Sequence, residues 1–180
     1  KRYFNSSMFL TPNHKYILYN KLHLVPFAEY IPLSGQFPSL NMLNFGQGNF
    51  THGSEYTVFE WKDIKFSNLI CYESSIPEVT REFIQQGADM LTIQTNDGWL
   101  GKSAGPYQHY NVARIRAIEN RVPVVRSANT GISGLILANG VSIKEQGLGE
   151  MAVFKVIVPL GATGSFYSRN GDVFAVICFV

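Results

Sequence analysis

Apolar and polar positions alternate over residues 3–10 and again over 16–23, with Pro12, Asn13, His14 and Lys15 between the two runs. That pattern predicts two strands joined by a turn. A second hairpin is predicted from residues 56–61 and 64–71, joined at Lys62 and Asp63. Ser75 with Glu78 three positions later has capping-box spacing, which predicts a helix running through about Gln86, with Gly87 just past its end. Residues 90–95 read as a buried strand and 96–105 as a loop. Residues 107–120 read as a helix on which Val112, Ile115 and Ile118 share one face. Strands over 122–127, 132–138 (turning at Asn139-Gly140) and 151–158 complete the pattern. Strands and helices intermingle without an internal repeat or linker, so the class is α/β or α+β, with helices covering sheet faces.

Residues 24–55 follow neither period. Pro26, Pro32 and Pro38, with Gly35, Gly46, Gly48 and Gly53, punctuate a stretch that also holds Phe27, Tyr30, Phe37, Leu40, Met42, Leu43, Phe45 and Phe50. Long irregular stretches in compact domains tend to be functional loops or mobile lids. An apolar one either covers core or faces lipid or an apolar substrate. Residues 173–180 are uninterrupted apolar sequence after the polar turn 167–172. A membrane span takes about 20 such residues, so this run reads either as a last core strand or as the start of a transmembrane helix. The chain opens on Lys1-Arg2-Tyr3-Phe4, with no initiator Met and no signal-peptide apolar region, and so reads as cut from something longer.

Composition narrows the function classes. The chain is 180 residues long, one domain of ordinary size by length, with 46% hydrophobic and 16% charged residues. Typical soluble domains carry about 25% charged residues, so a disordered or solvating segment is excluded. Fifteen Lys and Arg against 13 Asp and Glu give a net charge of +2 with no basic block, too balanced to advertise nucleic-acid binding. Two cysteines, Cys71 and Cys178, make no disulfide framework or four-cysteine metal site. His14, His23, His52 and His109 are scattered without ligand spacing, so neither a metal nor a cofactor is expected.

Cys71 is the most informative single residue. It ends an apolar strand just ahead of the predicted helix, where the positive end of a helix dipole favours a thiolate. A lone cysteine at a strand end is more often a small hydrophobe, so position alone does not decide its role. Several other patterns carry nothing. Gly101-Lys102-Ser103 ends like a phosphate loop, but Asn96 stands where that motif needs Gly. Gly131-Ile132-Ser133-Gly134 has the wrong spacing for a serine elbow. The glycosylation triplets at Asn5 and Asn49 are too common to weigh.

Taken together, the segments are more specific. Residues 21–32 (KLHLVPFAEYIP), Cys71-Tyr72-Glu73, Asn96-Asp97-Gly98-Trp99-Leu100-Gly101, Gly105-Pro106-Tyr107-Gln108-His109, Arg114–Asn120 (RIRAIEN) and 126–133 (RSANTGIS) occur in one order. This series resembles apolipoprotein N-acyltransferases, the membrane members of the nitrilase superfamily, over most of residues 14–140. The resemblance implies a nitrilase-type α-β-β-α sandwich, truncated at its N-terminus, with a Cys–Glu–Lys catalytic set. The catalytic domain would span 1–172, and 173–180 would begin a C-terminal transmembrane helix. Cys71 would take an acyl chain as a thioester, and Lys21 would hold the developing oxyanion. Glu29 would assist Lys21 or the incoming amine, unless it simply satisfies a buried lysine. Glu73 and Tyr72 would shape the surroundings of the nucleophile, unless Glu73 caps the following helix. Asn96, Asp97 and Trp99 would line the pocket or serve the turn, while Glu119 would be an ion-pair partner for Arg114, Arg116 or Arg126.

The implied partners are a phospholipid acyl donor, a diacylglyceryl-modified apolipoprotein acceptor and the membrane. The implied place is the periplasmic side of the bacterial inner membrane. Transfer to an amine requires a dry thioester, and residues 24–50 are the expected lid and acyl-chain surface. One departure matters: the family's general-base Glu lies well upstream of the lysine, and the first 20 residues here contain no acid. By itself, the chain would then be inactive. Two other readings remain open from the residues, a nitrilase-family amidase and an inactive module that binds lipid or protein.

Overall fold

A central run of parallel strands organises the larger part of the chain. A computed structural model describes residues 1–43, 49–161 and 164–179; Phe45, Gly46, Gly48 and Val180 lie outside them. The chain forms two compact units, Lys1–Tyr56 and Thr57–Val180.

The first unit is built on a hairpin of β1 (Ser6–Leu10) and β2 (Tyr16–Asn20), in the register Ser6↔Asn20 to Leu10↔Tyr16. The predicted turn closes it, with the Thr11 amide donating to the Lys15 carbonyl at 2.9 Å and His14 in the left-handed region at φ 59°. The irregular stretch is partly core. Leu24 and Ile31 are buried, while Phe27, Leu33, Phe37 and Met42 are exposed. A 3₁₀ segment, Pro38–Leu43, interrupts it.

The second unit carries a six-stranded sheet in the order β3-β4-β5-β6-β7-β8. Its strands are β3 (Phe59–Trp61), β4 (Ile64–Ile70), β5 (Met90–Thr95), β6 (Val124–Ala128), β7 (Ser133–Ile136) and β8 (Ser142–Gln146). β4, β5 and β6 are parallel, and antiparallel pairs flank them on both sides. Two crossovers connect the parallel strands, through α1 (Pro77–Gln85) and α2 (Gly105–Asn120). Because the strand order advances one way and such crossovers are right-handed, both helices fall on one face, where α1 and α2 pack together and α2 lies on β6 and β7. Leu69, Ile70, Leu91, Ile93, Val124 and Leu135 from the sheet and Val79, Phe83, Ala113 and Ala117 from the helices make the core. Burial of four consecutive residues, 67–70, in β4 fits a central parallel strand covered on both faces.

Several sequence expectations need correction. Ser75 does not cap α1. It ends a 3₁₀ turn, Cys71–Ser75, and Pro77 opens the helix after Ile76, with no side-chain cap. Proline suits that first helical position because its missing N–H has no partner to lose there. Gly87 does follow the helix as expected, at φ 95°. On α2 the buried face carries Tyr110, Ala113, Arg116, Ala117 and Asn120, while Ile115 and Ile118 are exposed. Two alanines allow close approach on that face, and Arg116 pairs with Glu119 at 3.2 Å, one of the expected partners. Residues 151–158 form no strand, and Met151 and Val153 are fully exposed. The alternating pattern there finds no neighbouring strand to pair with among the described residues. The polar turn expected at 167–172 is largely a short helix, α3 (Phe166–Asn170). Residues 173–178 are helical, not a core strand: α4 (Val173–Cys178) is short and exposed, and no described helix is long and apolar enough to cross a membrane.

Candidate active site

In the first unit, Lys21 follows β2 and is almost wholly buried. Its backbone is clamped from both sides: its amide donates to the Asn5 carbonyl, and its carbonyl accepts from the Gly53 amide, both at 2.8 Å. Gly53 has to be glycine, because a Cβ there would meet the Asn20 carbonyl oxygen at 2.1 Å. The Lys21 ammonium lies 2.7 Å from Glu29 Oε2. Glu29 is in turn held by the Val25 amide at 2.7 Å and by Asn5 Nδ2 at 2.8 Å. Burial pushes the Glu29 carboxyl up. Hydrogen bonds from Lys21 and Val25, with the Lys21 charge and Asn5, outweigh it and hold the group below its ordinary value. The pair is therefore a fixed cation beside a carboxylate that resists protonation.

In the second unit, the loops after β4, β5 and β6 all leave from the carboxyl edge of the parallel strands, where α/β sheets place their ligands. They stay together: the Asn129 amide donates to the Thr95 carbonyl at 2.9 Å, and Thr130 Oγ1 lies 3.4 Å from Asn96 Oδ1. Cys71 is the first residue after β4, and its backbone sits in the left-handed region at φ 54°. For a residue with a Cβ that conformation costs about 1–2 kcal/mol. Such strain persists only where the surroundings over-determine it, and it gathers at functional sites.

What holds the turn is visible. Glu73, fully buried, accepts the Ile70 amide at 2.8 Å and so straps the residues on either side of Cys71 together. The Ser74 hydroxyl reaches the Cys71 carbonyl at 2.8 Å. Of the two roles the sequence left open to Glu73, it does not cap α1. The Cys71 thiol is free and half-buried, while Tyr72 beside it is 39% exposed. Trp99, on the 3₁₀ turn Gly98–Leu100 after β5, is 70% exposed.

Asp97 and Asn96 face different ways. Asn96 serves the turn, its Oδ1 accepting the Gly98 amide at 3.1 Å. Asp97 is buried and lines no open surface. Its Oδ1 meets His109 Nδ1 at 2.9 Å and Thr95 Oγ1 at 3.0 Å, and its Oδ2 meets Arg126 Nη2 at 2.8 Å. Burial pushes this carboxyl up, but hydrogen bonds from His109 and Arg126 and the Arg126 charge bring it down to about 2 from an ordinary 3.8.

The spacing of the four histidines does not single out His109. The structure gives it a place under the nucleophile turn, with Nε2 at 2.9 Å from Ser74 Oγ and 3.3 Å from the Cys71 carbonyl. Its signal lies in the Gly105–His109 block, which puts the ring near the start of α2. Asn5, noted only as part of a glycosylation triplet, is a partner of Glu29. Among the described residues, no three His, Cys, Asp or Glu side chains gather as a metal site.

The carbon-nitrogen hydrolase family matches residues 1–166. An apolipoprotein N-acyltransferase of Geobacter metallireducens is 40% identical over 98% of this chain and 34% of its own length. One from Chlorobaculum tepidum is 38% identical over 97% of this chain and 34% of its own length. The chain thus spans about a third of the length of the curated relatives it matches. Among solved structures, Saccharomyces cerevisiae Nit3, of the nitrilase superfamily, superposes with a TM-score of 0.61 at 22% identity, over 82% of this chain and 51% of that one. A Nesterenkonia amidase of the same superfamily gives 0.61 at 16% identity, over 97% and 61%. At these identities the two structures establish the α/β nitrilase fold and nothing finer.

Proposed function

Because the chain belongs to the carbon-nitrogen hydrolase family and is a homologue of the apolipoprotein N-acyltransferases, we propose that it carries the catalytic machinery of such an acyltransferase. The single observation that supports this most is Cys71 itself: a free thiol on a strained turn at the carboxyl edge of a parallel sheet, inside a Cys-Tyr-Glu segment. The Cys71 thiol gives up its proton as its sulfur attacks an ester carbonyl of a phospholipid; the S–C bond forms, the C–O bond breaks, and that proton leaves on the lysophospholipid alcohol. The α-amine of a diacylglyceryl-modified N-terminal cysteine then attacks the thioester. The C–N bond forms, the C–S bond breaks, and the proton lost by the amine ends on the departing sulfur, which restores the thiol.

Lys21 is suited to an oxyanion because it is a buried, immobilised cation whose charge needs no reorganisation as negative charge develops. Glu29, held below its ordinary range, is a poor proton acceptor. Its role in this reading is to fix Lys21. In the second unit the exposed Tyr72 and Trp99, and in the first unit the exposed Phe27, Phe37 and Met42, each offer apolar surface to a lipid. The setting that follows is the periplasmic face of a bacterial inner membrane.

The test is transfer. Full-length enzyme in vesicles, given a diacylglyceryl-cysteine peptide, should produce N-acyl peptide. Cys71→Ala should abolish it, and Lys21→Met should lower it at least 100-fold. Transfer undiminished in Cys71→Ala would overturn the reading.

A further inference from the structure

The machinery described so far leaves the buried cluster of His109, Asp97 and Arg126 without a task. Its position is specific: it lies against the one turn whose backbone is strained at the nucleophile. What it touches shows what it does. Ser74 Oγ lies between two partners, the Cys71 carbonyl at 2.8 Å and His109 Nε2 at 2.9 Å. Nε2 also lies 3.3 Å from the Cys71 carbonyl itself. Nδ1–H then donates to Asp97 Oδ1, while Arg126 donates to Oδ2. The 3.1 Å approach of Arg126 Nη2 to Nδ1 is then two donors converging on one carboxylate.

The 3₁₀ turn Cys71–Ser75 supports itself along its backbone. Its side-chain support comes through Ser74 and the ring, and without the ring Ser74 Oγ keeps only the Cys71 carbonyl as a partner. A peptide held at φ 54° needs such support, because the relaxed backbone of a non-glycine residue lies elsewhere.

We infer that His109 is a positioning residue for Cys71. Its Nε2, directly and through Ser74, holds the turn at the Cys71 carbonyl and so keeps the nucleophile in its left-handed backbone. Asp97 and Arg126 orient the ring from behind. Two further contacts fix that rear support: the Arg126 guanidinium also donates to the Ile132 carbonyl, and it lies 5.8 Å from the centre of the Tyr110 ring. The inference rests on the reading of Cys71 as the nucleophile.

Three substitutions separate a positioning role from a merely structural one. His109→Gln keeps an amide donor near the place of Nε2. His109→Asn keeps one only near Nδ1, and His109→Leu keeps neither. The readout is the rate of acyl-thioester formation on Cys71 in full-length enzyme with phosphatidylethanolamine vesicles, followed by peptide mass spectrometry. A displacement on the ångström scale at a reacting atom costs about 100-fold in rate. His109→Leu and His109→Asn should therefore acylate Cys71 roughly 10- to 100-fold more slowly, with His109→Gln returning to within a few-fold of wild type.

Ser74→Ala, which removes one hydroxyl and little volume, should slow acylation about tenfold. Equal rates in all variants, or rates that track only the folded fraction of each, would overturn the inference. If wild type itself carries no adduct, the nucleophile reading has failed. The positioning role is then read without acyl donor, from iodoacetamide labelling of Cys71 relative to the exposed Cys178. That ratio should shift at least threefold in His109→Leu and return in His109→Gln; a ratio that stays put would again overturn it.

Discussion

The carboxylate of Asp97 leaves no space for a side chain at position 131: a Cβ on Gly131 would lie 2.2 Å from Asp97 Oδ2. The glycine after β6 and the acid after β5 are thus fitted to each other, and through His109 the fit extends to the turn that presents Cys71. Gly131→Ala should push Asp97 off Arg126 and destabilise the second unit by about 2–4 kcal/mol. Thermal unfolding of the variant beside wild type measures it. An unchanged midpoint would show that the loop yields freely.

Asp97 also makes a pH-dependent contribution. Its carboxyl titrates at about 2 when folded, against an ordinary 3.8. A depressed pKa means that the stabilisation is complete above the unfolded value and drains away as pH falls through the folded one. Asp97→Asn should therefore cost on the order of 2 kcal/mol at neutral pH, and the gap to wild type should close between roughly pH 4 and pH 2. Urea titrations of both proteins across that range give the curve. A gap that does not vary with pH would remove the ionic account.

The Lys21–Glu29 pair predicts an asymmetric pattern. Glu29→Gln leaves a buried ammonium without its counter-charge and should cost about 2–4 kcal/mol. Lys21→Met strands the carboxylate instead. The double substitution to Met and Gln should be less damaging than the two single losses added together. A double-mutant cycle by chemical denaturation checks this, and strict additivity would mean that the two groups do not sense each other.

Cys71 itself should trade stability for chemistry. Cys71→Gly relieves the left-handed strain at some cost in chain entropy and should raise stability by about 0.5–1 kcal/mol relative to Cys71→Ala. Both variants should be inactive. A glycine variant no more stable than the alanine one would mean that the turn is not strained.

Much of this arrangement can be read from residues alone, and the parts that cannot have physical reasons. β4 and β5 are legible because buried parallel strands are continuous apolar runs. Gly87 is legible because a helix end needs a residue tolerant of positive φ. Cys71, Lys21 and Glu29 come from ordered segments, not from periodicity. The left-handed backbone at Cys71 leaves no mark, since nothing about cysteine favours it. Ser75 misleads because its capping spacing is real but the 3₁₀ turn before Pro77 claims it first. Ile115 and Ile118 mislead because α2 buries alanines and a paired arginine. His109 escapes notice because its partners, at positions 71, 74, 97 and 126, are brought together only by the crossovers.

The central claim is that Cys71 carries the acyl chain, and mass spectrometry of the full-length enzyme, incubated with phospholipid and without acceptor, tests it most directly. The account predicts a fatty-acyl mass on the peptide containing Cys71, labile to hydroxylamine and discharged by a diacylglyceryl-cysteine peptide. An unmodified Cys71, with ammonia released from simple amides instead, would contradict it and make the protein an amidase.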